Sequence, residues 1–427
     1  MSVLLIMFGI MILLMVLNVP IALCTAFASF GGILAIGDFP MKLFVQRMFI
    51  GFDSFTYIAI PLFILTGSLM AMGGVTNDLL KFSKVLVGFM RGGLAYVNIV
   101  SSMIFAGITG SAASDTASIG SILIPAMVDK GYDKDFSVAV TATSSVIGVI
   151  IPPSIPMVMY GVAANASIGK LFLGGIIPGI MTGFALMAVT WYYARKRNYP
   201  VDERFSVQEA LRIVIRAIPA VMTLVIIIGG ILGGIVTPTE AAGVAAFYAM
   251  LLGVFYYKEI RFSQVPGMML DVAVTTGMVA LMVGSASCFG YLFTRLNVPQ
   301  MIAQMILSVT ESKIVILLLI NLLLLFVGTW LDMASAILIF TPILVPIVTE
   351  LGIDLVHFGV ILTVNLGIGL FTPPVGVCLF VSCGIAKISI ADTVKAFIPF
   401  FVSMVLVLII ITYVPQVVMF LPNMLMQ

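Results

Sequence analysis

The sequence carries one spacing of prolines, glycines and aspartates twice, and this duplication constrains the fold more than any other feature. Pro346 follows Pro125 by 221 residues (346 − 125). The same shift relates four further pairs, namely Gly131 to Gly352, Asp133 to Asp354, Gly148 to Gly369, and Pro152-Pro153 to Pro373-Pro374. Prolines, glycines and aspartates that coincide at a single shift indicate an internal repeat. The chain is therefore predicted to fold as two copies of one unit.

The composition places both copies in a membrane. Of the 427 residues, 62% are hydrophobic and 9% are charged, whereas about 25% of the residues are charged in soluble globular domains. Long apolar stretches without alternating polar residues favour a bundle of transmembrane helices over a β-barrel. The net charge of +2 does not point to nucleic acid as a partner, and none is expected. The expected fold class is an all-α polytopic membrane protein in a lipid bilayer.

Each repeat is predicted to contain about five transmembrane spans, an interfacial arm helix, a re-entrant helical hairpin and a helix broken by a double proline. The arms are expected at 38–53 and near 258–261, and a charged loop is expected at 78–91. The predicted boundaries are a first repeat 1–197 with hairpin 94–128 and broken helix 136–161, a basic linker 198–212, and a second repeat 213–427 with hairpin 314–349 and broken helix 356–386. Broken helices at membrane depth are tolerated only where protein or a water-filled cavity surrounds them. Each break is therefore a candidate ion or substrate site.

The distribution of charge predicts that the two repeats have opposite orientations. Loop 195–216 holds six of the twenty Lys and Arg residues, so the positive-inside rule places it in the cytoplasm. The loop after the first hairpin carries Lys130 and Lys134, whereas its counterpart carries Glu350 and Asp354. The first hairpin is therefore expected to enter from the cytoplasm and the second from outside. Inverted repeats with broken helices are the architecture of secondary transporters.

The breaks are predicted to supply oxygen ligands for a cation. Each proline lacks the amide that would pair with the carbonyl four residues earlier, so the carbonyls of Gly148, Val149, Gly369 and Leu370 are expected to be free. Neutral oxygen ligands suit a hard monovalent cation that must be released again. The predicted cation ligands flank the hairpin tips and the breaks: Ser111, Ser114, Asp115, Ser145, Gly148 and Ser154 in the first repeat, and Gly328, Thr329, Asp332, Asn365, Gly369 and Thr372 in the second.

The two tip aspartates have a second interpretation, which the sequence leaves open. Asp115 precedes Thr-Ala-Ser and Asp332 precedes Met-Ala-Ser, so either residue could cap the following helix. A carboxylate at membrane depth costs about 2.5–3.5 kcal/mol on insertion scales unless it is paired, and a bound cation would offset that cost. Elsewhere, Thr237 and Glu240 stand in Thr-Pro-Thr-Glu, which predicts a structural capping box.

Arg295 is the candidate group for binding a substrate anion. It follows a long apolar span and has no acidic neighbour in sequence. A guanidinium could hold a carboxylate through two hydrogen bonds, and the alternative is an arginine that snorkels to the membrane interface. Tyr160, Asn165 and Ser167 lie just past the first broken span. They are predicted to line the same substrate cavity, together with Ser111 at the first tip.

Four motifs in order resemble the large membrane subunit of tripartite ATP-independent periplasmic (TRAP) transporters. They are Ala-Ile-Pro-Leu-Phe-Ile-Leu-Thr-Gly-Ser-Leu-Met at 59–70, Gly-Ser-Ala-Ala-Ser-Asp at 110–115, Ile-Pro-Pro-Ser-Ile at 151–155 and Gly-Ile-Val-Thr-Pro-Thr-Glu-Ala-Ala-Gly at 234–243. The resemblance covers essentially the whole chain. It implies uptake of an organic acid across the bacterial inner membrane, driven by sodium rather than ATP. It also implies that the hairpins and broken helices form sodium sites, for two or more ions, and move as an elevator.

The resemblance further implies two protein partners and a substrate. The partners are a periplasmic substrate-binding protein and a small four-helix membrane subunit, which is expected here as a separate chain. Members that resemble sialic acid carriers place an arginine where Arg295 stands. N-acetylneuraminate is therefore the first expected substrate, and a C4-dicarboxylate or another carboxylate is the alternative.

Three other functions are weighed against this one. A stand-alone sodium/carboxylate symporter would keep the fold but need no binding protein. An intramembrane enzyme would use Asp115 and Asp332 as a catalytic pair, but no GxGD-type motif surrounds either residue, so no enzyme is expected. A passive channel is disfavoured because re-entrant hairpins that face broken helices form an occluded site more readily than an open pore. No GxxxxGK[ST] phosphate-binding loop is present to suggest ATP.

Overall fold

The computed structural model describes residues 2–17, 19–37, 40–53, 55–201, 205–298, 301 and 312–426. Within these ranges the chain is helical and forms no strand, and a single β-bridge joins Arg91 to Val201. The all-α class predicted from the composition is confirmed. Parts of the predicted first arm, at 38–39, and of the predicted basic linker, at 202–204, lie outside the described residues.

Twenty α-helices are found within the described ranges. They are α1 Ser2–Val16, α2 Ile21–Ile36, α3 Lys42–Phe52, α4 Ala59–Met72, α5 Val75–Val87, α6 Gly93–Thr109, α7 Ala112–Asp129, α8 Lys134–Ser144, α9 Ile147–Ile150, α10 Ile155–Ala164, α11 Ile168–Lys196, α12 Val207–Leu232, α13 Pro238–Leu251, α14 Val265–Arg295, α15 Lys313–Gly328, α16 Met333–Glu350, α17 Leu355–Gly369, α18 Val377–Ala386, α19 Ile390–Tyr413 and α20 Pro415–Leu425.

Seven of the described helices are long and apolar enough to cross a membrane. They are Phe55–Met72, Ile168–Lys196, Val207–Leu232, Pro238–Tyr256, Val265–Arg295, Met333–Glu350 and Ile390–Tyr413. The pair Lys134–Ile150 and Ile155–Ala164 passes the same test together and bends by 43° at its break. The chain is thus a multi-span membrane protein, while the count of five spans in each repeat stays a prediction.

Two helical hairpins and two interrupted helices lie at the segments where the sequence predicts them. The first hairpin consists of α6 and α7, and the second of α15 and α16. The first broken helix consists of α8, α9 and α10, and the second of α17 and α18. Gly110 ends α6 with a φ of 61°, a left-handed conformation that glycine adopts without steric cost. The chain can therefore turn back sharply at the first tip.

The structure corrects two details of the predicted loops and arms. The segment 78–91, predicted as a charged loop, is largely the helix α5, because Val75, Leu79 and Leu80 bury one face of it. The second arm near 258–261 is not a helix: Lys258 has a φ of 58°, and Ile260 packs over Gly253. The first arm is the helix α3, and it packs against α14.

The contacts at their ends show that the two broken helices run in opposite directions. Where α8 begins, Asp133 and Asp135 bind Arg197 at the end of α11, at 2.9 and 2.7 Å. At the far end of α10, the Tyr160 hydroxyl donates to the carbonyl of Leu355, where α17 begins (2.8 Å). The 29 residues of α11 then cover about 43 Å back to Arg197, at 1.5 Å per residue. The second broken helix therefore starts at the face opposite the basic residues 195–197.

The broken helices form the centre of the molecule, and the outer helices present apolar side chains to the surface. Residues 136–150 and 356–369 are buried throughout. By contrast, α12 exposes a stripe of large apolar side chains, including Leu211, Ile215, Ile218, Met222 and Val225. Exposed apolar stripes on long helices are what a lipid-facing surface requires. The interrupted helices are thus shielded from lipid by protein.

Candidate functional site

Both hairpin tips and both helix breaks meet at one cavity, which we call the tip cavity. Its volume is about 400 Å³. Residues 109–114 of the first tip and 332–334 of the second contribute to its lining. Val149, Ile155 and Pro156 come from the first break, and Leu370 and Val377 come from the second. Among the predicted ligands, Ser111, Ser114 and Asp332 line this space directly.

Asp115 is fully buried behind the first tip. Its Oδ1 accepts a hydrogen bond from the Thr109 hydroxyl. Its Oδ2 has no hydrogen-bond partner among the described residues, and it lies against Gly148 of the first break, where a Cβ atom would overlap it. The cap of α7 is Ser111, whose hydroxyl accepts from the Ser114 amide at 3.5 Å. The capping interpretation of Asp115 is therefore wrong, and a buried carboxylate oxygen without a partner fits a bound cation.

At the first break, one of the two carbonyls expected to be free is occupied. The Ser154 hydroxyl donates to the Val149 carbonyl at 2.6 Å and also accepts from the Met157 amide at 3.3 Å, as the cap of α10. The Gly148 carbonyl receives no hydrogen bond from the described residues, because Pro152 stands four positions later. Within the described part of the chain, the Gly148 carbonyl and Asp115 Oδ2 are thus available to a ligand.

Ser145 lies shortly before the first break, and both of its oxygens already take part in hydrogen bonds. It is fully buried, and its hydroxyl donates to the Thr141 carbonyl at 2.8 Å. Its own carbonyl accepts from the Gly148 amide at 3.0 Å. The predicted role of Ser145 as a cation ligand would therefore use an oxygen that already takes part in a hydrogen bond.

At the second break, the prolines were predicted to leave the carbonyls of Gly369 and Leu370 free, and neither is free. The Gly369 carbonyl accepts from the Thr372 amide at 3.1 Å, and the Leu370 carbonyl accepts from the Cys378 amide at 2.8 Å. The Thr372 hydroxyl donates to the Ile368 carbonyl at 2.6 Å. The gap between α17 and α18 is longer than the gap between α9 and α10. Amides on either side of the prolines can therefore fold back onto both carbonyls.

Backbone contacts hold the second tip against the second break. Gly369 lies so close to Gly328 that a Cβ atom would overlap the Gly328 carbonyl. The Val375 amide donates to the carbonyl of Thr329 at 3.3 Å, while the Thr329 hydroxyl donates to the Phe326 carbonyl at 2.7 Å. Glycine at position 369 thus permits a close approach that a side chain there would prevent.

Asp332 differs from Asp115 in its surroundings. It is exposed and caps α16, because both of its carboxylate oxygens accept from Ser335. One oxygen accepts from the Ser335 amide at 3.0 Å and the other from the Ser335 hydroxyl. The two tip aspartates, which the sequence treats alike, are therefore not equivalent: the second is a helix cap at the cavity edge.

Asn365 joins the second broken helix to the second hairpin. Its Nδ2 donates to the side-chain oxygen of Asn321 at 2.8 Å and to the Asn321 carbonyl at 3.0 Å. Asn321 in turn donates to the Thr412 hydroxyl at 3.0 Å. Asn365 Oδ1 is buried and has no hydrogen-bond partner among the described residues. It is a second unpartnered oxygen beside an interrupted helix.

The first repeat has a comparable hydrogen-bond network, which sequence reasoning missed. Asn98 donates to the Thr141 hydroxyl at 2.6 Å, and the Ser144 hydroxyl donates to Asn98 Oδ1 at 3.1 Å. Asn98 and Asn321 each lie within a strongly apolar hairpin arm. An asparagine in such a helix is expensive unless it is paired, so this signal was present in the sequence.

A second cavity, of about 510 Å³, lies between the first arm and the end of the first broken helix, and we call it the arm cavity. Its lining includes Arg47 of α3, Asn165 after α10, and Tyr291 and Thr294 of α14. Among the described residues that line it, Arg47 is the only charged one. Its guanidinium lies 3.8 Å from the centroid of the Tyr291 ring, a cation–π contact. Of the residues predicted to bind substrate, Asn165 lies here.

Ser111, also predicted to bind substrate, lines the tip cavity, whereas Arg295, Tyr160 and Ser167 line neither cavity. Arg295 is exposed at the end of α14, so the arginine placed in a cavity is Arg47 rather than Arg295. Tyr160 is fully buried in the core with its hydroxyl bonded to Leu355. Ser167 is exposed and caps α11 by accepting from the Lys170 amide at 3.4 Å. Sequence reasoning treated the arm as an interfacial helix and so overlooked its arginine.

The structural capping box predicted at Thr237 and Glu240 is confirmed. The Thr237 hydroxyl accepts from the Glu240 amide at 3.3 Å, and the Glu240 carboxylate accepts from the Thr237 amide at 2.8 Å. Both side chains are thus used to begin α13.

The family model of the tripartite ATP-independent periplasmic transporter DctM component matches residues 8–417. The chain belongs to this family. Its fold class and multi-span character agree with that membership, and relatives of this TRAP large permease are named as transport permeases rather than enzymes.

Two relatives differ in the substrate that their names give. This TRAP large permease is 46% identical over 416 residues to the isethionate TRAP transporter permease protein DctMQ of Oleidesulfovibrio alaskensis, with 97% of this chain and 66% of that relative covered. It is 38% identical over 406 residues to the sialic acid TRAP transporter large permease protein SiaM of Vibrio cholerae, with 95% of each covered. Family membership therefore does not decide the substrate.

A solved structure supports the fold. The YdaH transporter of Alcanivorax borkumensis superposes on this TRAP large permease with a TM-score of 0.65 at 16% identity, covering 87% of this chain and 88% of that one. At this low identity the likeness concerns the fold alone.

Proposed function

We propose that this TRAP large permease performs sodium-coupled secondary active uptake of an organic acid across the bacterial inner membrane. The observation that carries the proposal is the tip cavity, where two hairpin tips and two helix breaks surround one space. Directly behind it, the buried Asp115 keeps one carboxylate oxygen without a hydrogen-bond partner in the part of the chain that the structure describes. A cation bound there would offset the cost of burying that charge, so ion binding would stabilise the closed arrangement of tip and break.

Two or more sodium ions are proposed as co-transported cargo. The first would contact Asp115 Oδ2 and the Gly148 carbonyl, with Ser111, Ser114 and Ser154 nearby in the tip and break. A second would use Asn365 Oδ1, which is also buried and has no hydrogen-bond partner among the described residues. Gly328, Thr329, Gly369 and Thr372 would surround it through their carbonyl and hydroxyl oxygens. Oxygen-only ligand sets suit a hard cation that is weakly held and released.

The substrate is proposed to be an organic acid that carries hydroxyl groups. The two relatives compared above are named for isethionate and for sialic acid, and both compounds combine one acidic group with at least one hydroxyl. N-acetylneuraminate stays the first candidate from the sequence, isethionate joins it through the more similar of these two relatives, and a C4-dicarboxylate is the alternative.

Orientation and partners follow from the family and from the contacts at the helix ends. Arg197 binds Asp133 and Asp135, so the basic residues 195–197 and the loop after the first hairpin share one face, which the positive-inside rule assigns to the cytoplasm. The opposite directions of the two broken helices support inverted repeats that move as an elevator. A periplasmic binding protein would deliver the substrate from outside, and a small four-helix membrane subunit, as a separate chain, would complete the permease.

Reconstitution into proteoliposomes tests this function. The permease, its small subunit and the binding protein are combined, and uptake of radiolabelled N-acetylneuraminate, isethionate and succinate is followed with an inward sodium gradient or in potassium medium. Uptake of one acid that needs both the sodium gradient and the binding protein is expected. Equal uptake in sodium-free medium would contradict sodium coupling. Uptake by the permease without the binding protein would instead favour a stand-alone symporter.

A further inference from the structure

We propose that the arm cavity is an entry site for the substrate, where Arg47 binds the single acidic group of a hydroxylated organic acid before it reaches the tip cavity. This inference rests on the proposed function and deepens it. It assigns a binding residue and a charge class to the substrate, which neither the family nor the tip cavity supplies.

The position of the arm cavity is the first argument. Asn165 lies in its lining and stands next to the start of α11, whose 29 residues then run about 43 Å to the basic end at 195–197. The cavity therefore lies across the membrane from the basic loop, on the side where a periplasmic binding protein would release its cargo.

The path between the two cavities is the second argument, since the same three helices line both. On α10, Ile155, Pro156 and Met159 line the tip cavity, and residues 161–163 line the arm cavity. Asn165, just after the end of α10, lines the arm cavity as well. On α14, Thr275 and Val279 line the tip cavity, and residues between Val283 and Thr294 line the arm cavity. At the start of α16, residues 332–334 line the tip cavity, and further along the helix Leu338 and Pro342 line the arm cavity. Ten residues of helix cover about 15 Å. A substrate bound at Arg47 would thus lie only a short distance along these helices from the hairpin tips.

Charge and hydrogen bonding give the ligand class. Arg47 is half-buried, and no carboxylate within the described ranges forms an ion pair with it. Its guanidinium is held over Tyr291 at 3.8 Å, so its donors are orientated toward an anion at little entropic cost. Thr56, Asn165 and Ser287 add neutral polar groups to the lining. One cation among neutral donors and acceptors fits one acidic group and several hydroxyls, whereas a dicarboxylate would leave its second charge unmatched.

The same chemistry could bind the phosphate of an anionic lipid, so the experiment separates the two sources of the anion. Uptake of N-acetylneuraminate and isethionate, each delivered by its binding protein, is measured for the wild type, Arg47→Gln and the matched control Lys42→Gln. All three proteins are reconstituted in vesicles of phosphatidylcholine alone and in vesicles with added phosphatidylglycerol. Lys42 carries the same charge on the same helix, and it is exposed without lining the arm cavity, so it controls for the loss of surface charge.

Arg47→Gln is expected to raise the KM for the loaded binding protein about ten-fold or more, because a charged two-point contact is lost, while Lys42→Gln leaves the KM unchanged. The factor by which Arg47→Gln raises the KM should be the same in both kinds of vesicle. A rise in KM that appears only with phosphatidylglycerol would assign Arg47 to lipid and overturn the proposal. Equal KM values for Arg47→Gln and Lys42→Gln, with normal sodium-driven uptake, would overturn it too. Absence of sodium-driven uptake in the wild type contradicts the proposed function instead.

A labelling experiment gives a readout that does not depend on transport. All four native cysteines are buried, so a cysteine introduced as Thr56→Cys in the arm cavity should be the site that a membrane-impermeant methanethiosulfonate reagent modifies. N-acetylneuraminate or isethionate is expected to slow this modification, and added Arg47→Gln should abolish the protection, whereas Arg47→Lys should keep part of it. Protection that is unchanged by Arg47→Gln would contradict binding at Arg47.

Discussion

The close contact between Gly148 and Asp115 gives a prediction whose magnitude the structure sets. In Gly148→Ala, the new methyl group would overlap Asp115 Oδ2, the oxygen that is proposed to contact sodium. Extra volume in a packed interior costs about 1–3 kcal/mol. If this cost falls on the arrangement in which tip and break close around the ion, the half-saturating sodium concentration should rise about 5- to 150-fold, at 1.4 kcal/mol per ten-fold.

The assay is the sodium dependence of uptake in proteoliposomes that contain all three components. Gly384→Ala is the matched control, because a Cβ atom at Gly384 meets no atom within 4 Å. The control should show wild-type sodium dependence and be as stable as the wild type, or more stable by about 0.5–1 kcal/mol, since alanine is the better helix residue. Superimposable sodium curves for Gly148→Ala and Gly384→Ala would refute the placement of the ion between Asp115 and Gly148.

Three further changes test other parts of the account. Asp332→Asn should keep near-normal sodium dependence, because Asn caps helices as well as Asp does. Asp332→Ala should lower the free energy of unfolding by about 0.5–2 kcal/mol, measured by thermal unfolding. If Asp332→Asn lost its response to sodium, this carboxylate would be an ion ligand. Tyr160→Phe should lose about 1 kcal/mol of stability, from its hydrogen bond to Leu355, without a change in KM; a raised KM would return Tyr160 to the substrate path. Asn321→Leu should cost about 1–3 kcal/mol, because the Asn365 amide loses its side-chain acceptor, and an unchanged unfolding temperature would argue against this network.

The positions of the hairpins and breaks could be predicted from the sequence because their cause is local. Pro152 and Pro373 remove amides wherever they stand, and Gly110 permits a turn that other residues resist. The 221-residue shift then relates one break to the other. The repeated spacing of prolines, glycines and aspartates was therefore enough to predict where the breaks lie.

The fate of individual polar groups could not be predicted in the same way, because it depends on partners distant in sequence. The carbonyls of Gly369 and Leu370 follow the proline rule, yet they accept hydrogen bonds from the amide of Thr372, just before the prolines, and from the amide of Cys378, after them. Asp115 and Asp332 look alike in sequence, but only the first packs against a glycine of the opposing break. Arg47 was overlooked because its partner, Tyr291, lies more than two hundred residues away.

The most direct test of the central claim is equilibrium binding of radioactive sodium to the purified permease with its small subunit, in the absence of substrate. Saturable binding is expected for the wild type and for Asp332→Asn, and a large loss of affinity is expected for Asp115→Asn, which keeps the shape of the side chain but removes its charge. Sodium binding by Asp115→Asn with wild-type affinity would contradict the assignment of the buried carboxylate at the first tip as the sodium ligand.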